Sequence, residues 1–191
     1  NAFHDPDNAY ALSDVGRAFV AGLLRHAAEI TAVTNQLVNS YKRLVPGFEA
    51  PNSITWARNN RSALVRIPEY KHLKHSSTRI EFRSPDAACN PYLAFALILA
   101  AGMRGVREGY ELPAEAPDDL HLLSEEQRAD LGIATLPKSL AQALEVMEGS
   151  SLVRSTLGPH IFEWFLRNKY SEWADYKAHV SQFELDRYLR A

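Results

Sequence analysis

The sequence predicts an α+β domain, with a strand-rich middle set between helical segments and a helical C-terminal half. Three observations predict it. Ser13–Asn35 carries apolar residues at a helical period, residues 39–86 hold short β-branched runs with alternating character, and helical patterning with capping residues returns from Asn90 onward.

The elements follow in order. Val15, Phe19, Val20, Leu23, Leu24, Ala27, Ile30 and Val33 share one helix face, and Ser13 stands where an N-cap accepts an orphan backbone N–H. In the middle zone, Ser53-Ile-Thr-Trp-Ala and Ser62-Ala-Leu-Val-Arg-Ile read as strands bounded by Pro51 and Pro68. Thr78-Arg-Ile-Glu-Phe-Arg reads as a third, with Arg79, Glu81 and Arg83 on one face and Ile80 and Phe82 on the other. A loop is expected over residues 69–77. Asn90-Pro91 opens a helix that runs to Glu108 and stops at Gly109; apolar nearly all round, it is expected to be buried on every side. Ser124 and Gln127 have capping-box spacing, Ser139 caps a helix ending near Glu148, and Pro159 opens one towards His179. A short helix from Phe183 to Leu189 closes the chain.

Composition narrows the function classes. With 46% hydrophobic and 23% charged residues over 191 positions, the chain has ordinary globular usage rather than that of a disordered segment. A net charge of −2 argues against a wholesale nucleic-acid or membrane-surface binder. The longest apolar run, Tyr92–Met103, is shorter than the roughly 20 residues a bilayer requires. Cys89 is the only cysteine, which excludes an internal disulfide framework and a multi-thiolate metal site. With no basic-then-apolar leader, a cytoplasmic location is the expectation.

Charge is concentrated in the middle zone. Lys42, Arg43, Arg58, Arg61, Arg66, Lys71, Lys74, Arg79 and Arg83 face only Glu49, Glu69 and Glu81, a local balance of +6 that leaves −8 to the rest of the chain. Arginines on strands or at their ends can converge rigid forks on carboxylate or phosphate oxygens. The same residues also suit a solvated face paired with acids elsewhere, and the pattern leaves both readings open. An RNA patch using Phe48, Trp56 and Tyr70 as stacking platforms would call for a basic excess across the whole domain, which is absent. Glu81, between Arg79 and Arg83, suits either an ion pair or a divalent cation beside phosphate.

Four motifs carry a resemblance to glutamine synthetase: Asn39-Ser-Tyr-Lys-Arg-Leu-Val-Pro-Gly-Phe-Glu-Ala-Pro51, Asn60-Arg-Ser-Ala-Leu-Val-Arg-Ile-Pro68, Arg79-Ile-Glu-Phe-Arg-Ser-Pro-Asp86 and Asn90-Pro-Tyr-Leu93. Their order and spacing resemble the C-terminal part of the catalytic domain, and the likeness runs from Ser13 to the closing Phe183–Leu189. The tail and the Leu131-Gly-Ile…Leu136-Pro segment resemble most the class I bacterial and archaeal enzymes not controlled by adenylylation, and His121 stands at the position of the tyrosine modified in other bacterial enzymes, so that control is expected to be absent.

The resemblance implies antiparallel strands of a catalytic sheet and ATP-dependent ligation of ammonia to glutamate through γ-glutamyl phosphate. It also implies Mg²⁺ or Mn²⁺ as cofactor, and a homo-oligomer, a dodecamer, with sites between subunits. Nucleic acid and membrane are not expected partners. By the same resemblance Arg43 and Arg83 bind glutamate, Glu49 closes the site and deprotonates ammonium, and Arg61 stabilises the transferring phosphoryl group. Arg61, Arg66 and Arg79 contact ATP, and Glu81 is a metal ligand. Arginine forks suit this chemistry, because phosphoryl transfer rests on positioning and electrostatics.

Departures qualify the likeness. Gln36 stands where the family usually has proline, and the segment between Arg66 and Arg79, with Lys71 and Lys74, is longer than usual. The β-grasp domain and the strands bearing most metal ligands precede the matching region, so this chain is expected to supply half of an active site and to be inactive alone. The alternatives are a γ-glutamyl ligase acting on another amine such as a polyamine, which an intact Glu49 motif disfavours, and a non-catalytic assembly fragment. The histidines lack ligand-like spacing, and Trp164, Trp173 and Tyr176 read as packing residues.

Overall fold

The computed structural model describes residues 1–45, 51–58, 60, 62–68, 77–117 and 123–189. At its centre is helix α1 (Asp14–Thr34), capped as expected by Ser13, whose hydroxyl accepts from the Gly16 N–H at 3.1 Å. Phe19, Val20, Leu23, Leu24, Ala27, Ile30 and Val33 of α1 are buried, each aliphatic or aromatic side chain contributing roughly 1.5–3 kcal/mol of transfer free energy. Val15, at the first turn, is exposed instead.

Against α1 packs helix α3 (Pro91–Glu108), whose signals are all realised. Asn90 caps it by accepting from the Tyr92 and Leu93 N–H groups, proline fills its first position, and Gly109 ends it at φ 65°. The two helices approach closely because glycines face each other: a Cβ on Gly22 would lie 2.3 Å from the Ala101 carbonyl oxygen, and one on Gly105 2.1 Å from that of Ala18. The expectation that α3 is buried all round does not hold. Tyr92, Phe95 and Leu99 are 84%, 70% and 58% exposed, because α1 and the C-terminal helices cover only one side of it.

The middle zone forms a three-stranded sheet in the order β1 (Ser53–Ala57), β2 (Ala63–Arg66), β3 (Glu81–Phe82). β2 and β3 are antiparallel, with Val65 opposite Phe82 and Arg66 opposite Glu81. β1 and β2 run parallel, correcting the expectation of antiparallel strands throughout. Alternation reports which face a residue takes and carries no information on strand direction, so the pattern could not reveal this. β3 is shorter than the expected 78–83 run, although the Arg83 N–H still donates to the Leu64 carbonyl at 3.0 Å. Trp56, Leu64 and Val65 join the α1 core, and the Trp56 indole N–H donates to the Pro113 carbonyl at 2.8 Å. Within this zone the chain also forms one helical turn, α2 (Ser40–Arg43).

The C-terminal half is helical, as expected: α4 (Glu125–Asp130), α5 (Leu140–Glu148), α6 (Ser151–Ala178) and α7 (Gln182–Tyr188). Capping boxes open α4 and α7, and Ser139 caps α5. α6 breaks at Gly158, with φ 75° and ψ 159°, so Pro159 does open a helical segment, preceded by a turn that Ser150 caps. α5 packs on both α1 and α6. No helix among the described residues is long and apolar enough to cross a membrane.

Candidate functional site

The antiparallel register of β2 and β3 places Arg66 directly across from Glu81, and their side chains meet. Arg66 Nη1 lies 3.1 and 3.4 Å from the two Glu81 carboxylate oxygens, while Nε donates to the Arg58 carbonyl at 3.2 Å. Two residues before Glu81 on the same face, Arg79 Nη2 approaches Glu81 Oε1 at 3.5 Å and Nη1 donates to the Ser77 carbonyl at 3.3 Å. One carboxylate therefore lies between two guanidiniums. Arg66 and Glu81 are about one-third exposed and Arg79 more so, which leaves donors turned to solvent and within reach of an anion. Neighbouring Arg58 behaves differently: it is tied to the Glu115 carboxylate at 3.1 Å and stacks over Tyr10 at 4.5 Å, which is a structural use of its charge.

Arg43 reaches the far end of β3 from helix α2. Its Nη2 donates to Asn35 Oδ1 at 3.1 Å and to the carbonyl of Ser84, immediately after Arg83. Arg43 Nε is buried with no hydrogen-bond partner among the described residues. Because buried donors are nearly always paired, an acceptor from outside the described residues is the natural complement. Arg83, half-buried, thus sits at the same sheet end as Arg43.

What holds Arg43 in place is a set of residues that carried no site role in the sequence reading. The Asp86 carboxylate accepts from the Ser40 hydroxyl and, at 2.9 Å, from the Ala88 N–H; the Asp86 N–H donates to the Thr34 carbonyl at 3.1 Å. Asn35, just past the end of α1, is fully buried. Together these tie the C-terminus of α1, helix α2 and the segment after β3 into one unit. Burial pushes the Tyr41 phenol well above its ordinary value and the nearby Asp86 charge adds to the shift, so it remains a neutral hydroxyl. Asn35, Ser40 and Asp86 all lie in or beside quoted motifs. A rule that every buried guanidinium needs oriented acceptors would have flagged them.

Of the sequence-predicted site residues, the structure brings Arg66, Arg79 and Glu81 into contact and sets Arg43 beside the end of the strand that carries Arg83. Glu49 and Arg61 lie outside the described residues, as do Lys71, Lys74 and His121. Asn60, before Arg61, is anchored by donating to the Pro117 carbonyl at 2.9 Å and accepting from the Ser62 N–H at 2.8 Å. Among the described residues no group of three or more histidine, cysteine or carboxylate side chains is placed to hold a metal ion. Glu81 alone, engaged by two guanidiniums, does not make a divalent-cation site.

Comparison with known proteins now bears on this arrangement. Residues 1–188 match the family described as glutamine synthetase, catalytic domain. The glutamine synthetase of Mycolicibacterium smegmatis is 58% identical over 189 residues, which is 99% of this chain and 42% of that protein. Those of Mycobacterium tuberculosis and Methanosarcina mazei are 57% and 48% identical over the same shares. Among solved structures, one described as a GmaS/ADP complex superposes with a TM-score of 0.85 at 36% identity, covering all of this chain and 43% of that one. An apo GmaS structure gives 0.81 at 35% identity, covering all of this chain and 42% of that one. The chain spans 42% of the length of the curated relatives named here.

Proposed function

Because the chain belongs to the glutamine synthetase family, we propose that it supplies the arginine-rich half of a γ-glutamyl ligase site, and that the remaining half comes from sequence outside this chain. The observation that carries the reading is the Arg66–Glu81–Arg79 face with Arg43 and Arg83 at its end. In the reaction a glutamate side-chain oxygen attacks the γ-phosphorus of ATP, the bond to ADP breaks, and an acyl phosphate forms. The amine nitrogen then attacks the acyl carbon, phosphate leaves, and the nitrogen gives a proton to a carboxylate, the role assigned to Glu49. Arg43 and Arg83 hold the glutamate carboxylates. Arg66 and Arg79 hold nucleotide phosphates, and Arg61 meets the charge that develops on the transferring group. Glu81 offers one carboxylate toward a divalent cation, Mg²⁺ or Mn²⁺, whose other ligands are not on the described residues. Assembly into a homo-oligomer with shared sites belongs to the same reading.

Ammonia is the acceptor favoured by the 57–58% identity to proteins named glutamine synthetase. The fold likeness to a structure named GmaS rather than glutamine synthetase supports a second reading, a γ-glutamyl ligase in which another amine such as a polyamine takes the place of ammonia. Both are tested by a chimera in which this chain replaces the matching segment of the Mycolicibacterium smegmatis relative. Supplied with MgATP, glutamate and a mixture of ammonium, methylamine and putrescine, it is expected to form an amide whose mass identifies the acceptor. A folded chimera that forms no amide with any of the three would refute the ligase reading in favour of a non-catalytic module.

A further inference from the structure

Residues 113–117 run alongside the end of β1 and are bonded to it and to the turn that follows. The Trp56 indole N–H donates to the Pro113 carbonyl at 2.8 Å, the Ala116 N–H to the Trp56 carbonyl at 2.9 Å, and Asn60 Nδ2 to the Pro117 carbonyl at 2.9 Å. To this strap Glu115 adds its side chain. Its Oε1 accepts from the Arg58 backbone N–H at 2.8 Å, and its two oxygens lie 3.2 and 3.1 Å from Arg58 Nε. A single carboxylate thus grips residue 58 by its backbone and by its side chain.

Arg58 is held from another side by Tyr10, whose ring lies 4.5 Å from the guanidinium and meets Trp56 edge-on at 5.3 Å. Tyr10 takes φ 63° and ψ 15°, a left-handed conformation that a tyrosine rarely adopts. Such backbone persists where the surroundings over-determine it, and it clusters where geometry serves function. The Arg58–Glu115 pair is partly exposed, so its charges alone contribute little to stability. Its distinctive effect is geometric.

What these contacts fix is the Arg58 carbonyl. Arg66 Nε donates to it at 3.2 Å, while Arg66 Nη1 meets the Glu81 carboxylate. Bonds at two different nitrogens set the plane of the guanidinium, and Nη2 has no hydrogen-bond partner among the described residues. A guanidinium recognises phosphate through a planar fork, so its aim matters as much as its charge.

We propose that Glu115 is a positioning residue for nucleotide binding: through the Arg58 carbonyl it sets the plane in which Arg66 offers its donors to phosphate oxygens. The proposal rests on the γ-glutamyl ligase reading, in which Arg66 holds nucleotide phosphates, and adds to it a residue outside the arginine face.

Two measurements test it. In the 191-residue chain, NMR follows solvent exchange of the Arg66 Nε–H, with the Trp56 indole N–H as an internal control. Glu115→Ala is expected to quicken the first about tenfold or more and to leave the second unchanged. An unchanged Arg66 Nε–H, or equal quickening of both, would overturn the proposal, the latter because the whole strap would then have come loose. In the chimera, calorimetric titration with MgATP is expected to show binding weakened about tenfold by Glu115→Ala. In an Arg66→Lys background, where no guanidinium Nε–H reaches the Arg58 carbonyl, the same substitution is expected to cost less than about twofold. No weakening, or equal weakening in both backgrounds, would overturn the proposal and leave the ligase reading standing. A folded parent chimera that binds no MgATP would instead refute the ligase reading, and the nucleotide role of Arg66 with it.

Discussion

Replacing Gly105 by alanine tests the helix packing on which the arginine face rests. The added Cβ would lie 2.1 Å from the Ala18 carbonyl oxygen and 2.7 Å from the Gly22 amide nitrogen. Carbon–oxygen contacts between packed helices sit at about 3.3–3.6 Å, so α1 and α3 must separate by about 1 Å. The obstacles are backbone atoms, which cannot turn aside as a side chain would. Overpacking of this kind costs about 1–3 kcal/mol, whereas the better helix propensity of alanine returns up to about 1 kcal/mol. With backbone as the obstacle the cost falls in the upper part of that range, about 2–3 kcal/mol, so the net loss of about 1–2 kcal/mol corresponds to a Tm lower by about 2–8 °C in a chain of this size. Circular-dichroism melts of parent and variant measure it, with Gly149→Ala as the control: that position has αR geometry and its nearest outside atom is the Val146 carbonyl oxygen at 3.8 Å, so its Tm should hold or rise. A Gly105→Ala Tm equal to or above the parent's would refute the close-approach argument. The separation should also disturb the site, because α1 ends at the residues that hold Arg43 and Asp86, and α3 begins just after Asp86.

Other consequences are as direct. Asp86→Ala removes the acceptor for Ser40 and Ala88 and should cost about 1.5–3 kcal/mol; hydrogen exchange should quicken across residues 40–43, and unchanged protection there would show that Asp86 does not hold α2. Burial alone raises the Glu29 pKa, but hydrogen bonds from His26 and Ser150 and the nearby positive charge prevail and leave it below the ordinary carboxylate value. Its contribution to stability is therefore complete above the ordinary carboxylate range and lost as the pH falls through the lowered value. The Tm gap between parent and Glu29→Gln should accordingly close on acidification, and a gap independent of pH would contradict the assignment. Glu81→Gln breaks only partly exposed ion pairs and should change stability by less than about 1 kcal/mol, while Arg61→Ala in the chimera should lower turnover by about two orders of magnitude. Glu49→Ala should impair amine use more than ATP binding; equal losses would point to misfolding.

The sequence made the helices legible because their ends are written in residue chemistry: Ser13, Asn90, Ser124 and Ser139 all cap where they were expected to. The face shared by Arg79 and Glu81 was legible from period-2 alternation, and their contact bears it out. Three things were not. The parallel pairing of β1 with β2 depends on long-range direction rather than local pattern. The exposure of Tyr92, Phe95 and Leu99 depends on which neighbours cover α3, which composition does not encode. The support of Arg43 by Asn35, Ser40 and Asp86 is spread over some fifty positions of chain, and short polar residues at turns look alike whether they cap a turn or orient a guanidinium.

The central claim is that this chain's guanidiniums serve phosphoryl transfer to a glutamate side chain. It is tested most directly by running the chimera with glutamate labelled with ¹⁸O in its γ-carboxylate and analysing the phosphate released. Attack of that carboxylate on ATP followed by acyl-carbon capture predicts one labelled oxygen in each phosphate formed with amide. Amide formation with unlabelled phosphate would contradict the account, because phosphate would then never have been bonded to the glutamate side chain.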